Sequence, residues 1–143
     1  MIGTDSDLPD NFDQLISPGI RSGELYVAFS DRHGRGVFAA RDFAANAVLE
    51  ICPVLVVPVA QRTAVNTTVL FDYCYEWDGG AGLALGFGSL YNHSYEPNAH
   101  YRQHIDRGLV IVTALRDIAK DQEITINYRG DPADQSPVWY DQA

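Results

Sequence analysis

Apolar residues along this chain fall into short runs that alternate with polar ones, and those runs are broken every few residues by glycine, proline or aspartate. GELYVAFS, from Gly23 to Ser30, alternates well enough for a strand, and GVFAARDF follows it across a glycine-bearing turn. AVLEICPVLVVP, from Ala47 to Pro58, is dense in Val, Ile and Leu, while its two prolines limit where it can donate ladder hydrogen bonds. DYCYEW, GLALGFG, AHYRQHI, GLVIVTAL and EITINY continue the series, with turn signals at DGGAG, DRG and AKDQ. Residues 60–66 suit one or two helical turns, but no long amphipathic helix occurs and no repeat of 20 to 50 residues is present. The pattern predicts an all-β or β-dominated domain of several small sheets.

The length of 143 residues suits one domain with one core, and a hydrophobic content of 46% suits an ordered globule. We expect an acidic N-terminal segment over residues 1–19, open to flexibility, and a single domain over residues 20–143. Ten basic residues against nineteen acidic ones give a net charge of -9, the wrong sign for a protein that neutralises many phosphates. That argues against DNA or RNA as the primary ligand, and the same field would attract a basic partner. Cys52 and Cys74 stand far apart with no C-x-x-C pair, so neither a disulfide framework nor a zinc site is indicated. The first nineteen residues lack the basic and apolar regions of a signal peptide, and no run reaches the length that spans a bilayer. A soluble intracellular protein without membrane partners is expected.

Candidate chemistry is sparse when each motif stands alone. Gly34 and Gly36 flank Arg35 in DRHGRGVFA, which by itself reads as a turn and lacks the rest of a dinucleotide fingerprint. Of the four histidines (His33, His93, His100, His104), His100 and His104 could share a face, yet no carboxylate or third histidine sits at ligand spacing, and no metal is expected. Ser89 and Ser94 lack the G-x-S-x-G elbow of a hydrolase. Tyr128, ending EITINY, is on its own an ordinary strand aromatic. GSLYNHSYEPNAHY, from Gly88 to Tyr101, is different: too polar for a buried strand and too aromatic for a solvated loop, it suggests a bound ligand.

In order, the chain carries G-R-G at residues 34–36, N-H-S-x-x-P-N from Asn92 to Asn98, and E-I-T-I-N-Y from Glu123 to Tyr128. This combination resembles the SET-domain protein lysine methyltransferases, over about Glu24 to Tyr140, and the N-H-S-x-x-P-N element is its most specific part. The resemblance implies small sheets packed around a pseudoknot-like threaded segment, a departure from simple topology. It implies S-adenosylmethionine as cofactor, with Gly34, Arg35 and Gly36 lying along its methionine portion and Asn92 and His93 holding its amino-acid and adenine ends. Asn98 resembles an architectural residue that pins the threaded segment. Tyr128 resembles the family's catalytic tyrosine, and Tyr101 a second tyrosine of the substrate channel.

The chain departs from the best-known branch of that family in lacking flanking cysteine-rich segments, so no structural zinc is expected and the covering of adenine falls to an aromatic near the end. Trp139, in SPVWYDQA, is the preferred residue, with simple core packing as the alternative. Tyr95 stands where a cysteine commonly follows N-H-S. The variable segment from about Ala60 to Gly82 would bear on the substrate, and its Asp72, Glu76 and Asp78 either meet basic residues beside the target lysine or form a solvated acidic face. The function implied is methyl transfer to a lysine of a histone or other basic protein. The alternatives are a catalytically silent SET module that binds a peptide or protein partner, and a methyltransferase acting on a non-histone target or a small molecule. A homodimer is compatible with the sequence.

Overall fold

The computed structural model describes residues 2–12, 24–32 and 34–138. Among the described residues nine strands form two sheets. β1 (Leu25–Phe29) and β2 (Arg35–Ala39) make an antiparallel hairpin in which Leu25 faces Ala39 and Phe29 faces Arg35. β2 then pairs antiparallel with β9 (Glu123–Ile126), Val37 opposite Ile124. On its other side β9 runs parallel to β6, the two residues Asn92–His93, with Asn92 opposite Thr125 and His93 opposite Ile126. The sheet order is β1-β2-β9-β6.

The second sheet has the order β4-β5-β3-β8-β7, from β3 (Val48–Val57), β4 (Tyr75–Trp77), β5 (Gly80–Ala84), β7 (Ala99–His104) and β8 (Leu109–Ala114). The ten-residue β3 is shared. Val48 to Pro53 pair with β8, and Val54 to Val57 pair with β5. Pro53, which has no N–H to give, sits where the pairing changes sides, so its missing donor disturbs neither ladder's interior. Between β3 and β4 the chain makes 3₁₀ turns at Val59–Gln61 and Val69–Asp72 around one short helix, α1 (Arg62–Asn66). The expectation of a β-dominated domain of small sheets holds, and the helical turns over Val59–Gln61 and Arg62–Asn66 fall where the sequence suggested them, while the one at Val69–Asp72 was not expected.

Burial on two faces explains the core. Five of six residues of β8 and three of five of β2 are buried, and Val37, Val110, Val112 and, on β9, Ile124 lose essentially all contact with water. They pack with Phe43, Leu49, Trp77, Tyr91, Tyr101 and Ile118 in one cluster between the sheets. A second cluster lies on the opposite face of β3 and β8, where Phe12 and Leu8 of the N-terminal segment cover Ile51, Leu109 and Ile111. That segment also bridges Ile2 to Gln103 on the edge of β7, with Gly3 N–H donating to the Gln103 carbonyl at 2.6 Å. Residues 2–12 therefore extend the sheet edge and cap the core.

Candidate active site

β9 lies between β2 and β6, and that placement brings together three segments far apart in sequence: the G-R-G turn, the Asn-His pair and Tyr128. Asn98 locks the junction. Its Nδ2 donates to the Glu123 carbonyl at 2.8 Å, and its Oδ1 accepts from Thr125 N–H at 2.8 Å, so one side chain stands in for a missing ladder partner. Asn98 is buried, as is Thr125, and each bond is worth more for being shielded from water.

Asn92 is held by both hydrogens of its amide. Nδ2 donates to the Arg35 carbonyl at 3.0 Å and to Glu123 Oε2 at 2.8 Å, which fixes the amide's orientation and leaves Oδ1 as an acceptor only. The other Glu123 oxygen accepts from Ser30 Oγ at 2.6 Å and faces Arg32 Nε at 3.6 Å. Gly36 makes this closure geometrically possible. A Cβ there would collide with the Glu123 carboxylate and lie 2.9 Å from Asn92 Nδ2. Gly34 has a different reason for being glycine: its φ of +65° is left-handed, while a Cβ would meet nothing within 4 Å. The Arg35 side chain is exposed, and what it gives the site is its carbonyl.

His93 is buried and its Nδ1 accepts from the Tyr128 N–H at 3.0 Å, which requires that nitrogen to be unprotonated. Its ring meets Tyr95 edge-on at 4.4 Å and Tyr128 at 5.2 Å. Arg32, Asn92, His93, Ser94, Tyr95, Glu96, Gln135 and Tyr128 surround a cavity of about 550 Å³. A second cavity of about 530 Å³ has an aromatic wall that includes Phe71, Tyr73, Tyr75, Tyr91, Tyr101 and again Tyr128. Both volumes lie in the ordinary range for small-molecule sites. Tyr128 borders both.

The aromatic wall is rigidly tied to backbone. Tyr128 Oη donates to the Tyr91 carbonyl at 2.7 Å, Tyr101 Oη to the Tyr128 carbonyl at 3.1 Å, and Tyr75 Oη to the Gly88 carbonyl at 2.7 Å. Tyr75 and Tyr101 also pack edge to face at 4.9 Å. Burial pushes the Tyr101 phenol up to about 12, and burial drives Tyr75 and Tyr91 well above the usual phenol range. These phenols stay neutral at ordinary pH and act as hydrogen-bonding walls rather than bases. At the mouth, Glu76 is gripped by the two terminal guanidinium nitrogens of Arg62, and those bonds hold its carboxyl below the usual carboxylate range. Asp72 also lines the mouth, whereas Asp78 takes a turn position with φ of 47°.

Of the residues expected at the site, Gly36, Arg35, Asn92 and His93 converge, and Tyr128 and Tyr101 stand together on the second cavity. His33, Trp139 and Tyr140 lie outside the described residues. His100 and His104 are on β7, away from this cluster, and no group of three His, Cys, Asp or Glu that could hold a metal occurs among the described residues. Sequence reasoning missed Glu123, Tyr91 and Glu50. Glu123 reads as the polar start of a strand, while Glu50 carried one usable signal, a lone acid inside the apolar run AVLEICPVLVVP.

Among the described residues no helix is long and apolar enough to cross a membrane. Residues 34–129 match the SET domain family. The chain is 37% identical over 113 residues to the Schizosaccharomyces pombe histone-lysine N-methyltransferase, H3 lysine-37 specific, covering 78% of this chain and 76% of that protein. It superposes with a TM-score of 0.61 on the crystal structure of a candidate histone methyltransferase of Plasmodium falciparum, 33% identical, covering 82% of this chain and 96% of the other. A chain of ctPRC2, solved in complex with H3K27me3 and H3K27M, shares the fold at a TM-score of 0.65 and 18% identity, over 78% of this chain and 15% of that one. The chain belongs to the SET-domain family of protein lysine methyltransferases.

Proposed function

We propose that this protein moves a methyl group from S-adenosylmethionine to the side-chain amine of a lysine in a histone or another basic protein. The observation that carries the reading is the position of Tyr128 as a shared wall of two cavities with different linings. The first lining fits the cofactor. Asn92 Oδ1, fixed as an acceptor, suits an ammonium; Arg32 suits a carboxylate; Tyr95 and His93 offer ring surface to a nucleoside and a sulfonium. When bound, S-adenosylmethionine would supply an electrophilic methyl on sulfur for in-line displacement by the neutral lysine amine, the S–C bonding pair staying on sulfur as a thioether and the amine's proton going to solvent.

The chain's own residues then align and desolvate. Tyr91, Tyr101, Tyr75 and Phe71 exclude water around the lysine stem, which favours the neutral amine over its charged form. Tyr128 Oη, its hydrogen engaged by the Tyr91 carbonyl, presents lone pairs that can accept an amine N–H and turn the nitrogen lone pair toward the first cavity. Holding nucleophile and electrophile in line is the main source of rate for such a displacement. The net charge of -9 favours a basic substrate, and the relative from Schizosaccharomyces pombe, named for histone H3 lysine 37, supports a histone. The test is transfer of labelled methyl from S-adenosylmethionine to histones and a panel of other basic proteins, read by mass spectrometry. Methyllysine on at least one of them is the expected result; no transfer to any, from protein that binds no cofactor in calorimetry, contradicts the reading.

A further inference from the structure

We propose that Glu50 is a positioning residue for Tyr128, acting through the segment that ends in Tyr91; this rests on the role given to Tyr128 above. Glu50 lies on β3 and is only 2% exposed, and none of the ion pairs between described residues involves it. Burial pushes its carboxyl up, so the fold pays to keep it there. Two hydrogen bonds tie it to one loop, beside a hydrogen bond with the Cys52 thiol on its own strand. Oε1 accepts from Tyr91 Oη at 2.7 Å and Oε2 from Phe87 N–H at 2.8 Å.

These two bonds staple the residues on either side of a sharp turn. The loop seats directly on β3: a Cβ on Gly86 would lie 2.5 Å from Glu50 Oε2, and one on Gly88 would lie 2.7 Å from Cys52 Sγ. Gly86 also needs its φ of +65°. Tyr91 then spends its two polar ends in opposite directions, its hydroxyl on Glu50 and its carbonyl on the Tyr128 hydroxyl at 2.7 Å. Without the carboxyl, the Tyr91 ring can turn or shift, and the carbonyl that aims Tyr128 moves with it. Glu50 reaches neither cavity's lining, so its influence on transfer passes through the loop.

The experiment is a double-mutant cycle on the full chain with Glu50→Gln and Tyr128→Phe, measuring single-turnover methyl transfer at saturating substrates beside cofactor Kd from calorimetry. Glu50→Gln alone is expected to slow transfer by roughly 10- to 100-fold, with cofactor Kd within about twofold of wild type. In the Tyr128→Phe background the same change is expected to cost no further rate. Equal losses in both backgrounds, a cofactor Kd that weakens in step with the rate, or an unchanged rate in Glu50→Gln alone would each overturn the inference. Tyr128→Phe that keeps full rate sinks the reading beneath it, and the inference too. Should Glu50→Gln fail to fold, Tyr91→Phe takes its place in the cycle: it keeps the ring and the carbonyl, removes the hydroxyl Glu50 holds, and carries the same expected outcomes.

Discussion

Asn98 shows how much one side chain can carry. It replaces two ladder bonds beside β9, and cutting it back leaves the Thr125 N–H and the Glu123 carbonyl buried without those partners. Unmet polar groups of this kind cost about 1–3 kcal/mol each, so Asn98→Ala is predicted to lose about 2–5 kcal/mol in urea unfolding, against under 1 kcal/mol for an exposed control. At this scale the sequence was readable where a side chain belongs to a dense local motif, as with Asn92, His93 and Asn98. It was silent where the partner is distant. Nothing in EITINY tells that Glu123 holds Asn92 across 31 residues, and nothing in AVLEICPVLVVP tells that Glu50 holds Tyr91 across 41. Such pairs are fixed by topology, not by local pattern.

Among the elements, the strands of five or more residues could be read from short apolar runs set between glycine, proline and aspartate breakers. β6 could not. It is two residues long, and it exists only because β9 offers a parallel edge to it. The start of β2 is equally dependent on tertiary contact, since Gly36 is needed for the approach of Asn92 and Glu123 rather than for a left-handed dihedral. Gly36→Ala is therefore predicted to keep the fold while weakening S-adenosylmethionine binding by at least about 10-fold in calorimetry, because the new methyl displaces Asn92. An unchanged Kd would show that the Asn92 carboxamide is not part of the cofactor's seat.

The N-terminal segment yields a pH prediction. His104 at the end of β7 is buried against Gly3, where a Cβ would fall 2.6 Å from His104 Cε1, and burial lowers its pKa despite the opposing pull of Asp7 and Asp5. Burial likewise lowers His100 on the same strand. A histidine whose folded pKa is depressed adds stability that is fully present above its unfolded value of 6.5 and is lost as pH falls through the folded value. We predict a falling Tm between about pH 7 and pH 5, with His104→Gln flattening the decline. An identical decline in that variant would place the effect elsewhere.

Across the whole molecule, two sheets leave two cavities that share Tyr128, in a chain of net charge -9. The β-dominated class and the family were legible because three ordered motifs survive any choice of loop. The cavities were not, since the walls of the aromatic one come from α1, the 3₁₀ turn after it, β4, β5, the loop before β6, β7 and the chain after β9 together. A net charge of -9 makes substrate capture dependent on salt. The KM for a lysine peptide rich in basic residues is predicted to rise at least about threefold between roughly 0.05 and 0.5 M salt, with kcat nearly constant. A KM indifferent to salt would point to apolar contacts at Phe71 and Tyr73 as the main source of affinity.

The central claim is that one phenol divides a donor cavity from an acceptor cavity. Tyr128→Phe tests it most directly, with methyl transfer and cofactor binding measured on the same preparation. S-adenosylmethionine binding is expected to stay within about threefold of wild type and transfer to slow by at least about 100-fold, a loss of alignment without loss of affinity. Transfer at the wild-type rate, or a variant that stops binding the cofactor and loses rate only in proportion, contradicts it.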